Sequence, residues 1–254
     1  MVNGTLESHL REAHNNPLLW KKRLEICIDI ARGVKYLHTN IEKQVIHHNI
    51  TPSNVFLDDK WVAKVGNFEF SLPIPTDIAI AGLFNIYKAT KKSDVYAFGV
   101  LMLQLLCAKG PSTPGLHTGP FHLWFSRCLK RGTIDEVIDP YLIGKIAPEC
   151  FRLYVDIALC CLVRESIRRP SMDDVLESLQ SSLQLQEAWE SSIEMDDELP
   201  VTNVSSSYNY VIPLDSEFTI GEQSFLISDL VRPWAIISPS FSEPCADLCL
   251  DSGD

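Results

Sequence analysis

The chain is short of the features that most quickly classify a protein. Its 254 residues hold no uninterrupted apolar stretch of transmembrane length, which leaves no candidate for a spanning helix. The longest apolar run, around Val95–Cys107, is broken by Gly99 and Gln104 and reads as a buried helix. The opening residues, Met1 to Leu10, lack the charged n-region and apolar h-region of a secretory signal. No Cys-x-x-Cys pair occurs among the 8 cysteines at 27, 107, 128, 150, 160, 161, 245 and 249. Most of these lie in apolar helical patterns, so the expectation is reduced core cysteines in the cytoplasm. Base is scarce as well: 22 Lys+Arg stand against 33 Asp+Glu, a net charge of −11. The deficit is local. Residues 186–254 carry 14 acids and one base, Arg232, whereas residues 1–185 carry 19 acids and 21 bases. A near-neutral body with an acidic tail argues against general affinity for nucleic acid or anionic membrane.

What is present is a helical pattern with one β interruption. Leu24, Cys27, Ile28, Ala31, Val34 and Leu37 recur at helical spacing between Trp20 and His38. The polar stretch His47–Asn54 contains Pro52 and reads as a loop, and Val55–Leu57 with Val62–Val65 as a hairpin. After an irregular stretch from Ser71 to about Thr90, Ser93-Asp94 opens a helix to about Lys109 that is apolar on nearly every side. A loop at 110–119, a short helix from Trp124 to Arg131 and a helical turn stopping before Pro140 follow. Phe151, Val155, Ala158, Leu159 and Leu162 mark another helix behind Pro148. Ser171 to Asp174 forms a capping box for a last one, with Met172, Val175, Leu176 and Leu179 inward. After about Gln186 the periodicity fades, and serines, prolines and acids predict disorder. The tail's Phe218, Phe225, Trp234 and Phe241 leave room for docking, and Ser205–Ser207, Tyr208 and Tyr210 for phosphorylation on composition alone.

Four spacings carry chemistry. His47-His48-Asn49 followed by Asn54 has the D-x-x-x-x-N spacing of a phosphoryl-transfer loop. Asn67-Phe68-Glu69 follows the hairpin, where a Mg²⁺-binding Asp-Phe-Gly would stand. Ser93-Asp94-Val95-Tyr96-Ala97-Phe98-Gly99 opens the buried helix, and Arg169-Pro170-Ser171-Met172 precedes the last. In this order they resemble the C-terminal lobe of a protein kinase, and in particular the plant receptor-like kinases. Lys60–Val65, Gly144–Phe151 and Leu183–Glu187 are similar to the malectin-domain subfamily of those receptors. Asn3–Leu10 resembles the start of that lobe, just past the hinge. The resemblance covers about residues 3–187.

The departures from that family concern catalysis. Asn49 stands where the resemblance implies the catalytic Asp, and an amide cannot take a hydroxyl proton near neutral pH. Asn67 stands for the metal-chelating Asp, and a neutral carbonyl oxygen is a poorer ligand for a hard dication. Thr51 replaces the implied γ-phosphate lysine, His48 the arginine that reads a phosphorylated activation loop, and Glu69 the glycine. Asn54, the second implied metal ligand, is kept. Only 26 residues separate Asn67 from Asp94, and none of them spells Ala-Pro-Glu. Arg169 therefore lacks the glutamate partner that the resemblance implies, and is expected to pair with another carboxylate or to face solvent. No G-x-G-x-x-G, no Val-Ala-x-Lys strand and no helix glutamate to pair with that lysine is found.

The expectation is a mainly α fold: a kinase-like C-lobe over 1–187 with one small β-hairpin, the N-lobe absent, and a disordered acidic tail over 188–254. His47 is expected to pack into the lobe core, held by Asp94 through the loop backbone. Asp94 is expected to accept backbone N–H bonds at a helix start. His47, Asp94 and Arg169 are thus structural residues, and Asn49 and Thr51 degenerate catalytic positions. Asn54 and Asn67 are a degenerate cofactor site for the family-implied ATP and Mg²⁺. No metal site is read from His47 and His48, since neighbours in a loop point apart and no third ligand is suitably spaced. The function expected is that of a truncated pseudokinase, a binding or scaffold module for a protein partner such as a receptor-like kinase. Its place would be the cytoplasm, with recruitment to the plasma membrane's inner face implied by the family. A partner is also expected on the apolar face that an N-lobe would cover. The alternative is a fragment of a serine/threonine kinase that binds ATP and phosphorylates protein once its N-lobe is included.

Overall fold

In the computed structural model, residues 1–11, 17–39, 44–74, 90–108 and 121–195 are described, together with the backbone of 217–220 and 223–226. The described helices are α1 (Leu6–Arg11), α2 (Trp20–Thr39), α3 (Lys91–Cys107), α4 (Phe121–Arg131), α5 (Pro148–Cys161) and α6 (Met172–Met195). The short strands are β1 (Val45–Ile46), β2 (Val55–Leu57), β3 (Ala63–Val65), β4 (Leu72–Pro73), β5 (Glu217–Ile220) and β6 (Gln223–Leu226).

α2 forms because its apolar residues recur every three to four positions, and it is more deeply buried than one face requires. Leu24, Cys27, Ala31 and Val34 are enclosed, and so are Ile26 and Ile30 on the other side. The reason is position: α2 packs on α6 and on α3 and carries β3 beside it. Arg23 is also enclosed, at 1 % exposure. Its guanidinium donates to Leu18 O at 3.0 Å and Leu105 O at 2.7 Å and forms an ion pair with Asp139. A charge so buried is tolerable only with its donors satisfied in this way.

α3 is apolar all round and buried all round, with Phe98, Leu101, Met102, Leu103, Leu105 and Leu106 enclosed. It begins at Lys91, before the expected Ser93, because the Thr90 N–H donates to Ser93 Oγ at 3.2 Å. It ends at Ala108, whose backbone is left-handed at φ 48°. Gly99 lets α5 approach: a Cβ there would sit 2.7 Å from Cys161 Cβ and 3.1 Å from Ala158 O. α5 in turn packs on α6. The Ser171 cap reads as expected from sequence, with Asp174 accepting from Ser171 N at 2.8 Å and the Asp174 N–H returning to Ser171 Oγ at 3.2 Å. Two of the stretches that carried the resemblance meet here. Gln186 of α6 accepts from Ala147 N at 2.8 Å and donates to Lys145 O at 3.0 Å.

The expected hairpin is β2–β3, with Val55 opposite Val65 and Leu57 opposite Ala63. Residues 3–5 lie along its β2 edge, through Asn3 N to Leu57 O at 3.2 Å and Leu57 N to Gly4 O at 3.0 Å. Two further antiparallel pairs were not legible as strands. β1 pairs with β4 across a two-residue register, and β5 with β6 within the acidic tail. β1 and β4, two residues each, carry no alternation to read, while β5 and β6 stand within the stretch expected to be disordered. Helix bounds also differ. α4 starts at Phe121 rather than Trp124, and α6 continues to Met195, beyond residue 187. The turn expected before Pro140 is Ile134–Glu136, and Pro140 itself starts a second, with Asp139 accepting from Tyr141 N at 3.0 Å. The expected loop at 110–119, most of the irregular stretch at 71–90, and the tail apart from its two strands lie outside the described residues.

The described cysteines are free, and five of them, Cys27, Cys107, Cys150, Cys160 and Cys161, are buried. Burial pushes the Cys27 thiol up to about 12 and that of Cys150 to about 11, so neither is a reactive thiolate. Among the described residues no helix is long and apolar enough to cross a membrane.

Candidate functional site

The site is built on the first turn of α3 and two loops laid across it. Asp94 is fully enclosed and uses both oxygens. Oδ2 accepts from His47 N and from His38 Nε2, each at 2.8 Å, and Oδ1 accepts from His48 N at 2.8 Å. The backbone N–H groups it holds belong to the 47–48 loop rather than to its own helix. His48 takes a left-handed backbone, φ 68°, which turns two successive amides toward one carboxylate. His38 was missed in the sequence. Its signal was there: it continues the buried α2 line of Ala31 and Val34 with a polar residue.

His47 is buried and its tautomer follows from its partners. Gly66 O, 3.0 Å from Nε2, can only accept, so Nε2 carries the proton. Nδ1 then accepts from Asn49 N at 3.3 Å. Burial lowers the imidazole's affinity for a second proton, against the opposing pull of the Gly66 carbonyl and Asp94. The ring also meets Phe68, centroids 5.0 Å apart.

Asn49, Asn54 and Asn67 come together as a chain of amides. Asn54 Nδ2 donates to Asn49 O at 2.9 Å, and Asn67 Nδ2 donates to Asn54 Oδ1 at 3.0 Å. The direction is fixed by the Asn49 carbonyl, which can only accept. Asn67 is left-handed at φ 62°, a conformation that asparagine tolerates better than most residues. Gly66 before it is required by close approach, since a Cβ would sit 2.9 Å from the Phe56 ring. The Thr51 hydroxyl bonds Ser53 Oγ at 2.9 Å and the Thr51 carbonyl accepts from Asn54 N at 3.0 Å, while His48 and Glu69 are exposed.

This donor set is a poor match to Mg²⁺: Asn54 and Asn67 are neutral amides, the Asn54 oxygen already accepts one N–H, and a hard dication favours carboxylates. Among the described residues no group of three or more His, Cys, Asp or Glu is gathered.

Arg169 stands apart from the amides but returns to the same helix. It donates to Val163 O at 2.8 Å, Lys92 O at 2.9 Å and Arg164 O at 3.4 Å, and its guanidinium lies 4.8 Å from the Tyr96 ring centre. Its hydrogen-bond partners are carbonyls, with a ring beside them, rather than a carboxylate, and the side chain is partly buried. Lys92 reciprocates through Nζ, donating to Arg169 O and to Pro170 O.

A model of the protein tyrosine and serine/threonine kinase family matches residues 1–179. The chain belongs to that family. Among receptor-like protein kinases of Arabidopsis thaliana, it is 42 % identical to FERONIA over 206 residues, 75 % of this chain and 23 % of that protein. It is 40 % identical to ANXUR2 over 208 residues, 76 % of this chain and 24 % of the relative. A probable receptor-like protein kinase is 34 % identical over 249 residues, 91 % of this chain and 31 % of its own length. That alignment takes in most of residues 188–254, so similarity extends beyond the 3–187 region where sequence reading ended it. The chain spans about a quarter of the length of the first two relatives. It is a receptor-like kinase sequence of the subfamily that the motifs suggested.

Proposed function

We propose that this kinase-fold chain is a pseudokinase, a module that binds a protein partner in receptor-kinase signalling and transfers no phosphate. The observation that carries the proposal is the neutral amide of Asn49 at the position of the general base, in a loop whose structural contacts are intact. Loss of a general base costs roughly 10²–10⁴ in rate, and Thr51 and Asn67 remove phosphate and metal contacts besides. His38, His47, Asp94 and Arg169 meanwhile keep a full set of partners. Such a pattern is expected where selection holds the fold and not the reaction. Exposed Phe68 and Phe70, at 48 % and 54 %, give the site's rim an apolar surface suited to a protein partner. Because relatives are receptor-like kinases, the proposed place of action is the inner face of the plasma membrane.

The test is incubation of the full chain with labelled ATP, Mg²⁺ or Mn²⁺ and a generic protein substrate. The expected result is no label on the chain or the substrate. Incorporation that disappears in Asn54→Ala would overturn the proposal and restore the alternative of an ATP-binding serine/threonine kinase fragment.

A further inference from the structure

We infer that Asn67 and Asn54 form a clasp that holds the Phe68–Phe70 turn against the Asn49–Asn54 loop without a divalent cation. The two positions are those at which the family resemblance implied metal ligands, and the structure joins them directly by a hydrogen bond of 3.0 Å. The clasp runs one way. Asn67 donates to Asn54, and Asn54 donates to the Asn49 carbonyl at 2.9 Å. Backbone bonds on either side keep the two loops in register. Gly66 N donates to Asn54 O at 2.9 Å, His47 Nε2 to Gly66 O at 3.0 Å, and Ser71 Oγ to His47 O at 3.2 Å. The amide clasp is thus one link in a seam whose backbones are already aligned.

Asparagine at 67 is what makes the clasp possible. Aspartate has the same shape and also tolerates the left-handed backbone at φ 62°. It lacks the N–H, so a carboxylate oxygen would face the Asn54 oxygen. Turning the Asn54 amide over would relieve that contact, but would set its oxygen against the Asn49 carbonyl instead. One acceptor–acceptor contact survives either way. The substitution therefore isolates the donor from size and backbone preference.

The inference concerns what holds the loops together and does not depend on the chain being inactive, so a failed phosphorylation assay and a failed clasp are read separately. The experiment is thermal unfolding of the full chain, with MgCl₂ compared against NaCl of equal ionic strength. The unsubstituted midpoint is expected to be the same in both salts. In MgCl₂-free buffer Asn67→Asp and Asn67→Ala should each lower it by about 2–4 °C, the size of one hydrogen bond in a domain of this length. Asn67→Ala should lower it no further once Asn54→Ala is present. A midpoint that rises specifically with MgCl₂ in the unsubstituted chain would overturn the clasp. So would an unchanged midpoint in Asn67→Asp, or additive losses in the double variant.

Discussion

His38 Nε2 lies 2.8 Å from Asp94 Oδ2 and donates to it, across 56 residues of sequence and out of solvent. The contact fastens the end of α2 to the first turn of α3. The same carboxylate holds the amides of His47 and His48, so one buried side chain sets the position of the whole asparagine loop.

Asp94→Asn keeps the volume but replaces one accepting oxygen with a donor that faces other donors. Hydrogen bonds to a charged group contribute about 1.5–3 kcal/mol each, and an unsatisfied buried donor costs a similar amount. The substitution should destabilise the fold by about 3 kcal/mol in urea unfolding. A loss below about 1 kcal/mol would show that the three donors do not depend on the carboxylate.

The pH dependence of stability should carry the signature of His47. Its folded-state proton affinity is lowered, chiefly by burial, so the unfolded chain takes up the proton first. Stability is then complete above the ordinary histidine range and declines as pH falls through and below about 6.5. His122 is lowered by burial too and adds in the same direction. Urea midpoints between pH 7.5 and 5.5 (chosen to span roughly that range) should fall on acidification, and less steeply in His47→Gln. An equal slope in the variant would remove His47 from the account.

Gly99→Ala sets two effects against each other. Alanine favours a helix over glycine by about 1 kcal/mol. Against that, the new methyl would stand 2.7 Å from Cys161 Cβ and 3.1 Å from a backbone oxygen, neither of which is a movable tip. Overpacking of this kind costs about 1–3 kcal/mol, so the variant should be less stable on balance. Calorimetry showing a raised melting temperature would mean that α3 and α5 separate without penalty.

Arg23 should be the least replaceable cation of the described residues. Arg23→Leu leaves Asp139 charged and buried without its partner, at a cost of about 3–5 kcal/mol. Arg23→Leu with Asp139→Asn should recover part of that loss, which a double-mutant cycle in urea measures.

Much of the fold was legible because it is written in local periods. α2, α3, α5 and α6 follow from apolar spacing, the β2–β3 hairpin from two β-rich runs around a turn, and the last helix start from Ser171 and Asp174. The family was legible from four ordered spacings, since residue order along the chain needs no knowledge of contacts. Three-dimensional placement decided the rest. Sequence named Asp94 and the loop it holds but not His38, its third donor, because nothing local ties the end of α2 to the start of α3. Arg169 lost its implied glutamate on paper, and only packing showed three carbonyls and the Tyr96 ring in its place. Asn54 was read as a kept metal ligand and Asn67 as a weakened one, together a degenerate site. That one donates to the other follows from the seam between their loops, where partners distant in sequence meet and the direction of each N–H is settled.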